Sequence, residues 1–269
     1  MRINTNINGM IATNQMAKNT ALAGNSMEKL STGLRITKAG DDAAGLAVSE
    51  KMRAQIRGME QAERNVQDGI SLVQTAEGAL EEAGNIAQRM RELAVQAGND
   101  TLSAEDRTKI KAELDELQEE MGNIATETKF NGNALLDGTG GDFIIQAGAN
   151  DENRTVVMED LSKVADGLSG LDVTSNANAK SAIADIDTAL EEINSARANL
   201  GAMQNRLEYT ATNLTTSTEN LSAAESRIRD VDVAKEMVKL SKLNILNQAS
   251  QAMVSQAKQQ PEGVTQLLR

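Results

Sequence analysis

A chain of 269 residues is long enough for one or two domains with a real core, yet it holds two Phe, one Tyr, one Pro and no Trp, Cys or His. Without His or Cys it can build neither a Ser–His or Cys–His nucleophile pair nor a usual zinc site, and so few rings leave no stacking platform for single-stranded nucleic acid. A net charge of −12 argues against duplex binding, which needs Lys and Arg on phosphates, and no phosphate-cradling G-x-x-x-x-G-K-S/T or G-x-G-x-x-G loop occurs.

The first predicted element is an N-terminal arm. Residues 3–17, INTNINGMIATNQMA, carry no charge, although the chain as a whole is 25% charged. Apolar and small residues then recur at Met16, Thr20, Ala23, Met27, Leu30 and Leu34, in steps of three and four that predict a helical seam. Gly9 and Gly24 lie inside it, and each costs about 0.5–1 kcal/mol relative to Ala, so this arm is expected to be poorly helical alone.

A long helix follows. Met52, Ile56, Met59, Ala62, Val66, Ile70, Val73, Ala76, Leu80, Ala83, Ala87, Met90, Ala94 and Ala97 form one unbroken stripe with the step of a supercoiled seam. Such a helix would be roughly 75–80 Å long, and Gly98-Asn99 supplies its stop. Carboxylate pairs such as Glu81–Glu82 read as solvated helix faces rather than acid/base pairs. Ser103 is placed to cap the next helix, with Asp106 closing a capping box, and Ile110, Leu114, Leu117, Met121 and Ala125 form its stripe.

The following FNGNALLDGTGGDF is turn chemistry. Two short strands are predicted at about Phe143–Ala147 and Thr155–Met158, joined around Asn150-Asp151. DGLSGLDVTSNANAK reads as a loop. A third long stripe runs from Ile183 through Ile186, Leu190, Ile193, Leu200, Met203, Leu207, Ala211, Leu214, Leu221, Ala224 and Ile228 to Val231.

The C-terminal arm closes the chain. Its seam is Leu243, Leu246, Ala249, Met253 and Ala257, and nothing from Leu243 to Ala257 is charged. Residues 1–40 carry a net +4 and residues 231–269 a net +2, which leaves −18 for the middle. A helix packed on its own domain ordinarily keeps a charged outer face; here the outer faces are Asn, Gln, Ser and Thr. Two ordinary amphipathic helices remain one reading. Two arms that pair with each other and are then covered by further copies is the other. A membrane-surface role fits less well, because the arms lack a basic face and aromatic anchors. No stretch approaches 18 consecutive apolar residues, so no membrane insertion is expected, and the N-terminus lacks the apolar region of a cleaved signal peptide.

The expected fold is mainly α: a long antiparallel helical bundle or coiled coil with a small β-hairpin at about 130–160. Its divisions are an N-terminal arm at 1–42, a rod-like bundle at 43–230 and a C-terminal arm at 231–269.

Specific stretches resemble a known family. MEKLSTGLRITKAGDDAAGLAVSEKMRAQIRG, QDGISLVQTAEGAL and QRMRELAVQ are similar to the N-terminal region of bacterial flagellins. LGAMQNRLEYTATNL and the stretch from SRIRDVDVAKEMVKL to QPEGVTQLLR are similar to their C-terminal region, so the likeness spans about 1–160 and 180–269. It implies a structural subunit of the bacterial flagellar filament, not an enzyme and with no cofactor, that self-assembles into a helical tube used as a motility propeller. The chain ends would be disordered in the monomer and would pair as a helical coiled coil on assembly. The filament-core residues would be Met16, Ala23, Met27, Leu30, Leu34, Leu243, Leu246, Ala249, Met253 and Ala257.

Implied partners are further copies of itself, the hook-junction and cap proteins, an export chaperone at the C-terminal arm and host Toll-like receptor 5. The implied location is the extracellular filament, reached by the flagellar type III route without a cleaved signal peptide. The family's receptor contacts fall on Arg89, Leu93 and Glu113. From the residues alone, Arg89 and Glu113 fit ordinary solvated faces or intersubunit ion pairs better than a receptor contact. Two departures stand out. About twenty residues separate Met158 from the third stripe, where most flagellins insert outer domains, and Ala87 stands where many have Leu. A hook–filament junction protein, also similar at both ends, is the alternative. A filament-displayed protease would need an inserted H-E-x-x-H domain, which this chain lacks.

Overall fold

The computed structural model describes residues 6–267, and of 260–267 the backbone alone. Two compact units emerge, Met1–Ala54 with Asn220–Arg269 and Gln55–Glu219. The helices are α1 (Ile7–Thr32), α2 (Ala43–Ala97), α3 (Ala104–Glu127), α4 (Leu161–Gly167), α5 (Asn176–Arg229) and α6 (Val233–Leu267). The short strands β1 (Lys129–Phe130), β2 (Asn133–Ala134), β3 (Phe143–Gln146) and β4 (Asn153–Val156) form two separate antiparallel pairs.

The unit at 55–219 is the helical bundle. The expected α2 stripe is its spine: Ala62, Val66, Val73, Ala76, Leu80, Ala83, Ala87, Met90, Ala94 and Ala97 are each at most 1% exposed. Helix α5 runs antiparallel beside it. Thr215 bonds Glu63, Arg197 pairs with Glu81 and Arg91 with Asp187, so each step forward on one helix is a step back on the other. Ala182, Ala189 and Ala196 face inward from α5, alternating with Ile186, Ile193 and Leu200. Alanines on both helices let the backbones approach closely and larger side chains fill the layers between, which supplies dispersion contacts without aromatic rings. Helix α3 begins as expected. The Ser103 hydroxyl accepts from the Asp106 amide at 3.2 Å, and the Asp106 carboxylate accepts from the Ser103 amide at 3.4 Å.

Between α3 and α5 the sequence reading is refined. Asn131 and Gly132 both take positive φ, 51° and 84°, and close β1 onto β2 as a two-residue turn of the kind Asn-Gly favours. The β3–β4 register pairs Phe143 with Val156 and Gln146 with Asn153, so the second strand starts two residues before its expected position. The stretch expected to be an apolar-poor loop begins inside α4 and is anchored by Leu168, Leu171 and Val173, all 7% exposed or less. Helix α5 then starts at Asn176, well before Ile183, behind a turn in which the Ser175 hydroxyl accepts from the Asn178 amide.

The β3–β4 pair lies on glycines of α2. A Cβ at Gly69 would sit 2.2 Å from the Ile145 Cδ1, and one at Gly58 would sit 2.8 Å from the Ala149 Cβ. Gly69→Val is therefore expected to lift the hairpin and cost about 1–3 kcal/mol. The checks are a lowered melting temperature and faster hydrogen exchange at residues 143–156, with the rest of α2 protected. A variant with wild-type exchange there would show that the glycine is not what seats the hairpin.

In the other unit, α1 ends at Gly33, whose φ of 73° and amide bond to the Lys29 carbonyl are the left-handed stop glycine permits. Leu34 then forms an antiparallel bridge with Asp230. The Arg35 amide donates to the Arg229 carbonyl at 2.6 Å, and the Val231 amide to the Gly33 carbonyl at 3.0 Å. Arg229 also reaches Glu50 at 2.5 Å. In the turn that follows, the Thr37 and Lys38 amides hold the Asp41 carboxyl below the ordinary carboxylate range, while Glu28 raises the Lys38 ammonium.

Candidate assembly surface and receptor patch

Helices α1 and α6 pack along their length as an antiparallel pair, so the two arms meet within a single chain. At one end, Asn6 accepts from the Gly9 amide at 2.9 Å, capping α1, and donates to the Ala257 carbonyl at 2.6 Å. At the other end, Ser26 lies against Glu236; its hydroxyl first, and then Lys239, hold the Glu236 carboxyl below its ordinary value against the opposing effect of burial.

The seam between the arms differs from the expected one. On α1 the covered positions are Met16, Asn19, Ala23, Ser26 and Leu30, with Asn19 at 3% and Ser26 at 0% exposure. On α6 they are Glu236, Leu240, Leu243, Asn247, Ser250, Val254 and Ala257. Met16, Ala23, Leu30, Leu243 and Ala257 thus lie where the sequence put them. Met27 does not: it is 61% exposed, because Ser26 takes the seam position beside it. Leu34 lies past the end of α1, in the bridge to Asp230.

Leu246, Ala249 and Met253 are off the seam because they occupy the neighbouring face of α6. There they line a groove of 570 Å³ together with Asn8, Ile11, Ala12 and Gln15 of α1. Ile11 and Met253 on its walls are each 62% exposed. A second groove of 440 Å³, on the other side of the pair, is walled by Met10, Thr13 and Val254. The outer face of α6 adds Met237, Val238 and Ile245 at 59%, 71% and 63% exposure. The charge-free runs therefore carry two kinds of surface: a seam that includes Asn and Ser, and an uncovered apolar flank.

Arg89 and Glu113 are brought together. The Arg89 guanidinium donates to the Glu113 carboxylate at 2.9 Å across α2 and α3, and to Glu92 at 3.1 Å on its own helix. Glu113 first, then Glu92, raises the Arg89 guanidinium above its ordinary value. Both side chains of the pair are about half exposed. Leu93 is a correction. At 2% exposure it packs inside the bundle core and offers no surface to a partner, because it lies on the flank of the α2 stripe, one turn from Met90 and Ala97, where the core still covers it. Ala87 is fully buried as well.

Sequence reasoning missed Asn19, Ser26, Asn247 and Ser250, which carry no apolar signal, and Asn6, whose bond to the Ala257 carbonyl depends on the partner arm. The groove residue Ile11 lay in the charge-free run and could have been found by drawing the second apolar face of α1. Among the described residues, no helix is long and apolar enough to cross a membrane.

Long antiparallel helices with paired terminal arms and an uncovered apolar flank define a helical structural protein. Residues 3–141 match the bacterial flagellin N-terminal helical region, and residues 183–268 match the bacterial flagellin C-terminal helical region. The chain is 54% identical to a flagellin of Halalkalibacterium halodurans and 50% identical to a flagellin of Bacillus subtilis, with both chains of each pair covered in full. It is also similar to the crystal structure of Bacillus cereus flagellin, with a TM-score of 0.52 and 37% identity over 60% of this chain and 94% of that one. The chain belongs to the bacterial flagellin family, whose members are structural subunits of the flagellar filament.

Proposed function

We propose that this chain builds the flagellar filament through its terminal arms, residues 1–42 and 231–269, with residues 43–230 forming the wall around them. The observation that carries this reading is the apolar flank of the arm pair. Ile11, Leu246 and Met253 lie open in stretches from which charge is absent. Such a surface is favourable only when apolar neighbours remove it from water. Further copies of the chain supply such neighbours in register. Electron microscopy of purified protein after addition of filament seeds tests this, with thin, smooth filaments as the expected result because no outer domain follows Met158. Protein that stays unpolymerised with seeds present sinks the reading.

The same reading includes export by the flagellar type III route, contact with hook-junction and cap proteins at the filament ends, and chaperone cover of the C-terminal arm before assembly. The exposed face of α6, with Val238 and Ile245, gives such a chaperone an apolar strip to hold.

Recognition by Toll-like receptor 5 is assigned to Arg89 and Glu113, with Leu93 beneath them as packing. In favour stands the chemistry of the pair, a planar donor fork beside a carboxylate, both reachable from solvent. Arg89→Asp reverses the charge next to Glu92 and Glu113. It is expected to lower receptor signalling by unassembled protein at least tenfold while leaving helicity unchanged. Signalling at wild-type potency would take Arg89 out of the site.

A further inference from the structure

The methionines of this chain are sorted by exposure. Met10, Met27, Met237 and Met253 are 59–62% exposed, and all four lie on α1 or α6. In the bundle, Met90 and Met121 are fully buried. Met59, Met158 and Met203 are packed against the same core. The chain has no Cys and no Trp, so a peroxide meets no more reactive thiol before it meets these thioethers. Two of them also sit where apolar character matters. Met253 walls the 570 Å³ groove beside Ile11, and Met10 walls the 440 Å³ groove beside Val254.

We propose that Met10, Met27, Met237 and Met253 are a reversible oxidation site, whose conversion to sulfoxide by peroxide stops the unassembled chain from polymerising. The sulfur lone pair attacks one peroxide oxygen, the O–O bond breaks and an S–O bond forms. The thioether loses two electrons, and the peroxide is reduced to water. The product side chain carries a strong hydrogen-bond acceptor where the apolar flank needs none. Buried in a contact without a donor, that acceptor weakens each contact by about tenfold or more. Met90 and Met121 in the bundle core are out of reach, Met59, Met158 and Met203 are partly covered, and the bundle is expected to stay folded.

The consequence for polymerisation rests on the filament reading above, and untreated protein in the same experiment reports that reading separately. Full-length monomer is treated with dilute hydrogen peroxide, quenched and divided. Peptide mass mapping of one part is expected to find sulfoxide at the four arm methionines well before Met90 and Met121. Seeded sedimentation of a second part is expected to show polymerisation reduced at least tenfold, with the thermal melting of the bundle unchanged. A third part, reduced with the two methionine sulfoxide reductases and a thiol donor, is expected to recover. Oxidation of Met90 and Met121 at the rate of the arm positions overturns the proposal. So does polymerisation of the sulfoxide form at the untreated rate, or sulfoxide reduction that fails to restore it.

Discussion

Met253→Asp is expected to abolish seeded polymerisation while leaving the melting of residues 55–219 as in the wild type. Met253 is 62% exposed on the groove wall, so in the free chain the new carboxylate faces water and has little to lose. Once a neighbouring copy covers the groove, the same carboxylate is shut in among Ile11, Leu246 and Ala249 with no cation from Leu243 to Ala257 to pair with it. An unpaired charge in such a place costs several kcal/mol or must take up a proton. The loss recurs at every subunit, so elongation stops rather than slows. Sedimentation after seeding, with circular dichroism of the supernatant, reads both halves of the prediction. Filaments at wild-type rate and yield would mean that the apolar flank is not a buried contact.

Ala94→Asp carries the same chemistry to the opposite result. Ala94 is fully buried on the α2 face that packs in the bundle, among Met90, Ala97 and Ala182 of the same core. No water or donor reaches it, and the close packing of alanines leaves no room for a larger side chain to turn away. The cost is on the order of 3–5 kcal/mol or more, a large share of the ~5–15 kcal/mol that holds a domain together. The melting temperature should fall by roughly 10 °C or more, or cooperative unfolding should vanish. The arms are untouched by the change, yet polymerisation would fail because the wall is gone. A fully folded Ala94→Asp protein would contradict the packing described for α2.

The two substitutions also mark what a linear reading of this chain can reach. Most of the α2 stripe was legible, because the bundle core is built mainly from Ala, Val, Leu, Ile and Met, although Leu72 and Leu93 are buried beside the stripe rather than in it. The capping box was legible too, since Ser103 and Asp106 need only each other. The arm seam was legible only in part. On α1, positions 16, 19, 23, 26, 30 and 16, 20, 23, 27, 30 both alternate steps of three and four, in opposite order, and share Met16, Ala23 and Leu30. Counting apolar residues selects Met27, whereas the fold buries Ser26 and Asn19. A helix with one face for its own partner and another for its neighbours carries two overlapping stripes, and periodicity alone cannot say which is which. The stretch after Gly167 failed for another reason. Leu168, Leu171 and Val173 are too few for a pattern, but a loop needs only a few anchors to lie down on a core.

The bridge between Leu34 and Asp230 ties the roots of the two arms together. It joins the chain just past α1 to the chain just before α6, so each arm meets its own partner at an effective concentration on the order of millimolar, whatever the number of molecules nearby. A neighbour's arm arrives only at the concentration of free subunits. Within the chain, the seam built around Asn19, Ser26 and Asn247 is filled by its own second arm, and a tether of this kind favours the internal partner over a neighbour's. What is left for neighbours is the flank walled by Ile11 and Met253.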